Sequence, residues 1–217
     1  MATYETHITV DSDPATIARA RSLASELGLE WTHIVLSSGE RASQPMITCD
    51  RGESLDEQRA IVAEITAKCE SLRIRVLRIK TEGALDCDEC AADEARGQCA
   101  RDGRYFESHV KVLVHDDEGA RDRARRVATE HAAHFSRNAR RAGSVEERFV
   151  TVRSREVSRD VARTRTRALV AGLEAAGIVV RSIRAEYVLF DSDFAVDRGW
   201  GVADALQSDT SDRRSTR

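Results

Sequence analysis

A six-residue strand pattern occurs twice in this chain, about a hundred residues apart. Residues 5–10 read ETHITV, and residues 107–112 read ESHVKV. Polar and apolar residues alternate in both copies, which is typical of a β-strand with one buried face. In the first copy the alternation places Glu5, His7 and Thr9 together on the polar face. A strand of this kind is either half solvated or lines a site.

The second copy carries Glu107, His109 and Lys111 on the corresponding face. His109 follows His7 by 102 positions, and the correspondence continues along the chain to a shift of 104. Further matched pairs are Thr48 with Thr151, Lys80 with Arg184, Glu82 with Glu186, and Ile74, Val76 and Ile79 with Ile178, Val180 and Ile183. The sequence therefore predicts an internal duplication.

The element order within each half is β-α-β-β-α-β. Residues that begin and end helices support this order. Asp11 or Asp13 can cap the first helix, Pro14 opens it, and Gly28 ends it. The pattern also predicts a strand over 73–79 and a helix over 118–134. Strands at 44–49 and 147–152 correspond to each other.

This order resembles the ferredoxin-like fold. The resemblance implies an α+β protein with two βαββαβ repeats, related by pseudo-twofold symmetry, whose sheets face each other across a cleft. We predict a first repeat over 1–83, a cysteine-containing linker over 84–104, a second repeat with a C-terminal extension over 105–204, and a disordered tail over 205–217. The stretch 186–200 also resembles the ending of an uncharacterised family of bacterial proteins of similar size.

The composition of the chain limits the classes of binding partner and the cellular location that we expect. The 217 residues carry a net charge of −3, so bulk nucleic-acid binding is not expected. No run of 18 apolar residues occurs, and no membrane association is expected. The absence of a signal-peptide pattern and the odd count of five cysteines indicate a cytoplasmic location. P-loop, dinucleotide-binding and serine-hydrolase motifs are absent. The oligomeric state is not readable.

The paired Glu-x-His strands have three interpretations. Glu5, His7, Glu107 and His109 can chelate a divalent metal such as zinc. Alternatively, a glutamate can orient each histidine as a general base. The third interpretation is a polar interface that only holds the two repeats together.

Part of the same pattern resembles the His-x-Thr motif of the 2H phosphoesterases, which cleave cyclic phosphates and 2′,5′-linked nucleotides. The resemblance implies that His7 and His109 act as catalytic base and acid, and that Thr9 holds the phosphate. Lys111 stands where that family has Thr or Ser, although a lysine also binds phosphate.

Two further sets of residues are candidates. Cys87, Cys90 and Cys99 can form part of a zinc site or a redox pair, or remain free thiols in a solvated loop. Arg137 belongs to an arginine-rich run suited to an anion.

The sequence as a whole predicts a protein that binds a small anionic or phosphorylated ligand, or a divalent metal, between the repeats. Thr9, Lys111, Thr48, Thr151 and Arg137 would contact the ligand. The alternatives are a 2H-like phosphoesterase and a non-catalytic interaction module.

Overall fold

The computed structural model describes residues 4–36, 41–115, 118–138 and 145–194. These residues form eight strands and five helices, and none of these helices is long and apolar enough to cross a membrane. The elements are β1 Tyr4–Val10, α1 Pro14–Glu26, β2 Glu30–Leu36, β3 Ser43–Cys49, α2 Leu55–Ser71, β4 Val76–Ala84, α3 Asp88–Ala95, β5 Tyr105–His115, α4 Glu118–Glu130, β6 Ala133–Asn138, β7 Val145–Ser154, α5 Arg159–Ala175 and β8 Val179–Asp191.

Local sequence signals explain where the helices begin and end. The Asp13 side chain accepts a hydrogen bond from the Thr16 backbone N–H at 2.9 Å, and Pro14 opens α1. Ser158 caps α5 in the same way. Gly28 and Gly177 follow α1 and α5 with φ of +62° and +74°, a conformation that favours glycine.

Each repeat forms a four-stranded antiparallel sheet, in the order β4-β1-β3-β2 and β8-β5-β7-β6. The edge strands then pair across the repeats, β2 with β6 and β4 with β8, and the two sheets close into one eight-stranded barrel. Ile34 lies opposite its own counterpart Asn138, and Gly83 lies opposite its counterpart Tyr187. The pseudo-twofold axis therefore passes through both seams, and the predicted fold of two facing repeats is confirmed.

The hydrophobic cores lie between the helices and the outer face of the barrel. The first core contains Ile8, Val10, Ile47, Val62 and Ile65, from β1, β3 and α2 among other elements. The second contains the corresponding apolar residues of β5, β7, α4 and α5, namely Val110, Val112, Val150, Leu169 and Leu173 among others. Because the apolar face of each sheet packs outward, the polar face of each Glu-x-His strand points into the barrel.

Two predicted boundaries were wrong. The helix expected to reach residue 134 ends at Glu130, because the chain reverses at Ala132, whose φ is +50°, and β6 begins at Ala133. β4 begins at Val76 and continues to Ala84, since it pairs with β1 on one side and β8 on the other.

The segment between the repeats contains a helix, α3, which falls inside the predicted linker of residues 84–104. The domain boundaries at 83 and 104 stay predictions. The predicted tail, 205–217, and the end of the second repeat lie outside the described residues.

Gln58 of α2 fixes β1 from the helix side. Its fully buried amide donates to Thr6 Oγ1 at 3.0 Å and to the Cys49 carbonyl at 2.7 Å, and it accepts from the Gly52 N–H at 2.8 Å. Since Thr6 faces α2, its neighbour His7 faces the barrel interior.

We expect Gln58→Leu to lower the free energy of unfolding by about 2–4 kcal/mol, because it removes three buried hydrogen bonds and leaves the Thr6 hydroxyl only its contact with Thr81. The matched control is Gln98→Leu at an exposed position, which should change stability by no more than about 0.5 kcal/mol. Urea unfolding monitored by circular dichroism measures both. Equal stability of the two variants would contradict this role for Gln58.

Candidate functional site

Side chains from all eight strands line a cavity of about 430 Å³ inside the barrel. Eight of the residues predicted from sequence line it, namely Glu5, His7, Thr9, Thr48, Glu107, His109, Lys111 and Thr151. Arg137 lies in β6, and its side chain is outside the described residues. The cavity is therefore the predicted space between the repeats.

His7 is held through both ring nitrogens. Its Nε2 lies 3.0 Å from Glu5 Oε1 and 3.0 Å from Glu82 Oε2, while its Nδ1 hydrogen bonds Thr48 Oγ1 at 3.0 Å. Strand register creates this arrangement, because His7 pairs with Thr48 on β3 and Glu5 pairs with Glu82 on β4. Two carboxylates thus converge on Nε2 of His7, and the hydrogen bond between Nδ1 and Thr48 fixes the orientation of the ring.

His109 repeats the arrangement in the second half. Its Nε2 lies 3.5 Å from Glu107 and 3.5 Å from Glu186, and its Nδ1 hydrogen bonds Thr151 Oγ1 at 2.9 Å. The carboxylates here are slightly farther away, but the register is equivalent, since Glu107 pairs with Glu186 and His109 with Thr151. The duplication has preserved the whole constellation.

Lys80 joins the two halves at the centre. Its Nζ lies 2.7 Å from Glu82 Oε1 and 2.5 Å from Glu107 Oε2, and Arg153 Nε donates to Glu107 Oε1 at 2.6 Å. Glu82 and Glu107 are each only 1% exposed. Burying such carboxylates is costly unless cations compensate them.

Arg184 forms a second link between the repeats. Its guanidinium contacts Glu186 Oε1 at 2.6 Å and Glu5 Oε2 at 2.8 Å. Because Arg184 belongs to β8 and Glu5 to β1, this contact spans the β4·β8 seam. The charge cluster consequently contains four glutamates, two histidines and three cations.

Glu82 has an unusual environment. Although Lys80 and His7 lie close to it, neither of its oxygens accepts a hydrogen bond of normal geometry from the described residues. Most buried carboxylate oxygens are hydrogen bonded. An additional electropositive group near Glu82 would satisfy this carboxylate.

Two groups of side chains are spaced to hold a metal ion. Glu5, His7 and Glu82 form one, and Glu82, His109 and Glu186 form the other, with the ligand atoms of each group within 4.8 Å of one another. Both groups use Glu82. Sequence reasoning did not select Glu82 or Glu186, although their shared shift of 104 positions was the available signal. The predicted ligand Glu107 instead contacts Lys80 and Arg153.

The cysteines of the linker lie in a different environment from the one expected. Cys87, Cys90 and Cys99 are free thiols, but they are buried in a cluster that includes Phe106 and Tyr187, so the expected solvated loop was wrong. Burial raises the pKa of Cys87 to about 11 and that of Cys90 to about 12, which keeps both thiols protonated at neutral pH. None of the metal-spaced groups found among the described residues contains a cysteine.

The charge cluster shifts the pKa values of its members. Burial lowers the pKa of His7, but the carboxylates of Glu5 and Glu82, each 3.0 Å from its Nε2, outweigh it and raise the pKa to about 9. Burial and the charge of Glu82 raise the pKa of Glu186 to about 7. Burial opposes ionisation of Glu107 as well, yet Arg153 and Lys80 hold its pKa well below the usual range.

These shifts predict a loss of stability at alkaline pH for protein in EDTA. A raised His7 pKa contributes stability that is complete below the ordinary value of 6.5 and is lost as pH rises through about 9. The Glu186 contribution is lost earlier, between 4.5 and about 7. We expect the free energy of unfolding to fall by roughly 2–3 kcal/mol between pH 6.5 and 9.5, mainly through His7.

His7→Gln should flatten this fall, as measured by urea unfolding at a series of pH values. The control is His33→Gln, since His33 hydrogen bonds Ser43 on β3 and does not line the cavity. An unchanged alkaline fall in His7→Gln would show that another group causes it.

No protein-family model matches this chain, and no curated protein matches it in sequence. Among solved structures it is similar to the acetolactate synthase small subunit from Thermotoga maritima, at 12% identity over 87% of this chain and 94% of that chain, with a TM-score of 0.32. It is also similar to chlorite dismutase from Candidatus Nitrospira defluvii, at 12% identity over 85% and 90% of the two chains, with a TM-score of 0.29. The regulatory subunit of aspartate kinase from Thermus thermophilus matches at 12% identity over 79% and 93%, with a TM-score of 0.32.

Proposed function

We propose that the barrel interior binds a divalent transition-metal ion through Glu5, His7 and Glu82. The observation that carries this proposal is the convergence of two carboxylates on His7 Nε2, at 3.0 Å each, while Thr48 holds the opposite ring nitrogen. A ligating histidine usually hydrogen bonds through its other ring nitrogen, which fixes its tautomer and orientation. Thr48 is placed to accept that bond.

Ligand spacing supports a small ion. Atoms bound at about 2.1 Å to one tetrahedral zinc ion lie about 3.4 Å from each other. The His7 contacts of 3.0 Å and the His109 contact with Glu186 of 3.5 Å are close to this value. The two His7 contacts would therefore lengthen by only about 0.4 Å around a bound ion, and all ligand atoms of each group already lie within 4.8 Å of one another. The mixed imidazole and carboxylate donors suit zinc or iron better than magnesium or calcium.

Charge also supports a cation between the carboxylates. Glu82 is buried and without a normal hydrogen bond among the described residues, although Lys80 lies 2.7 Å away. A divalent ion would bind its Oε2 oxygen, which faces His7, and leave Oε1 to Lys80. Because the His109 group shares Glu82, it forms an overlapping half of the same centre.

The same geometry makes a 2H-like phosphoesterase a weaker candidate. In that chemistry both histidines approach a phosphate, but here the Nε2 atoms of His7 and His109 each face two glutamates. These carboxylates would repel a phosphate at the positions where its oxygens must lie. We therefore favour metal binding over direct phosphate chemistry.

Zinc binding tests the proposal. Protein purified without an affinity metal is treated with EDTA, dialysed and titrated against zinc in competition with a chromophoric chelator. We expect one bound ion for the unmodified chain. Loss of a hydrogen bond that orients a metal ligand weakens metal binding by roughly 10–100-fold, and His7→Gln, which removes a ligand, should weaken zinc binding by more than this. The double variant His7→Gln with His109→Gln should abolish zinc binding.

His33→Gln is the matched control and should bind zinc as the unmodified protein does. Thr48→Val keeps the ligands and removes only the bond to Nδ1, so it should weaken zinc binding by about 10–100-fold even where a histidine variant fails to fold. A folded, unmodified protein that binds no zinc would refute the proposal. Equal zinc affinity of the double variant would do the same.

A further inference from the structure

The cavity has two chemically different walls. The β4·β8 seam carries the charge cluster, including Lys80, Arg184 and Glu186. The β2·β6 seam lies on the opposite side of the barrel, four strands away in either direction. The four apolar side chains that line the cavity, Ile34, Leu36, Met46 and Phe149, all lie on this seam or on the flanking strands β3 and β7, where Glu30, Gln44 and Glu147 also line it. One side of the cavity therefore carries the charge cluster, and the apolar side chains are gathered on the other.

The side chains of Ile34, Leu36, Met46 and Phe149, the apolar wall, line the cavity and leave its interior open. Ile34 and Phe149 are only partly buried, and both line the cavity directly. The hydrophobic cores of the two repeats lie elsewhere, beneath the helices. A volume of about 430 Å³ lies within the range of roughly 300–1,000 Å³ that is usual for small-molecule sites. Water in contact with this wall would be replaced favourably by an apolar group.

The net charge of the charge cluster determines which head group a ligand can place at the β4·β8 side of the cavity. Four glutamates of the cluster face three cations, Lys80, Arg153 and Arg184, which leaves one negative charge when all four glutamates are ionised and both histidines are neutral. A divalent ion changes this to one positive charge. A negatively charged head group would therefore be attracted to the centre.

Resting on the proposed metal site, we propose that the cavity binds a small monocarboxylate with an apolar body. Its carboxylate occupies a coordination position that the three protein ligands leave free. Its apolar body lies against Ile34, Met46 and Phe149 on the opposite wall. The cations in the wall contact glutamates already, so the ion provides the open positive site.

Hexanoate and acetate are suitable probes, because they share a head group and differ only in apolar length. Binding to zinc-loaded protein is measured by isothermal titration calorimetry. We expect hexanoate to bind more tightly than acetate by about tenfold or more, since up to four additional methylene groups leave water. Hexanol, which lacks the carboxylate, and hexanoate with EDTA-treated protein should each bind at least about tenfold more weakly than hexanoate with the loaded protein.

Phe149→Ser should reduce the preference for hexanoate over acetate without changing zinc affinity. The matched control is Ile183→Ser, which removes an apolar side chain that is 50% exposed and does not line the cavity. Met46→Gln on the neighbouring strand provides a second test if Phe149→Ser does not fold.

The outcomes separate the two proposals. Failure to bind zinc refutes the metal site itself. Zinc binding with equal affinities for hexanoate and acetate, or an undiminished preference in the folded Phe149→Ser or Met46→Gln variant, overturns the ligand inference alone. Hexanoate binding that persists in EDTA also overturns the ligand inference, because the carboxylate would then be held without a metal ion. Lys111 would be the residue that holds it, since its Nζ lies 5.5 Å from the centre of the Phe149 ring.

Discussion

Glu82 is the group on which the arrangement of the barrel depends. It is a carboxylate with almost no solvent exposure, and it lies between His7 and Lys80 near the seam of the two repeats. A buried charge of this kind is tolerated only where opposite charges are fixed around it. Those charges come from both repeats, because Lys80 also binds Glu107 of the second repeat and Arg184 of the second repeat binds Glu5 of the first. The cluster therefore specifies how the two sheets meet.

The distribution of apolar residues gives this cluster its location. Each repeat buries most of its aliphatic residues under its own helices, and the inner faces of the sheets are largely polar, with apolar side chains only on the side of Ile34, Met46 and Phe149. Edge pairing at β2·β6 and β4·β8 then satisfies the backbone groups that open sheets would expose. Stability comes mainly from the outer layers, while the interior is available for binding. Replacing such buried charges by apolar residues often stabilises a protein, so their presence here is consistent with a function.

The sequence predicted the repeats and the direction of their polar faces, because strand alternation and a constant shift are local patterns. Glu5, His7, Glu107 and His109 were found in this way. Glu82 and Glu186 were not selected, since their role arises only when β4 and β8 pair with β1 and β5. Edge pairing was not predicted either, because it depends on which strand ends remain unpaired in three dimensions. The burial of the cysteines was not predicted, because the polar sequence around them forms a helix that buries only one face, with Cys90 on it.

The central claim is that a metal ion binds between Glu5, His7 and Glu82. Anomalous diffraction at the zinc absorption edge, from crystals of the EDTA-treated protein reloaded with one equivalent of zinc, tests it most directly. We expect an anomalous peak within bonding distance of His7 Nε2 and a carboxylate oxygen of Glu82. A peak beside Cys87, Cys90 and Cys99, or no peak inside the barrel, would contradict it.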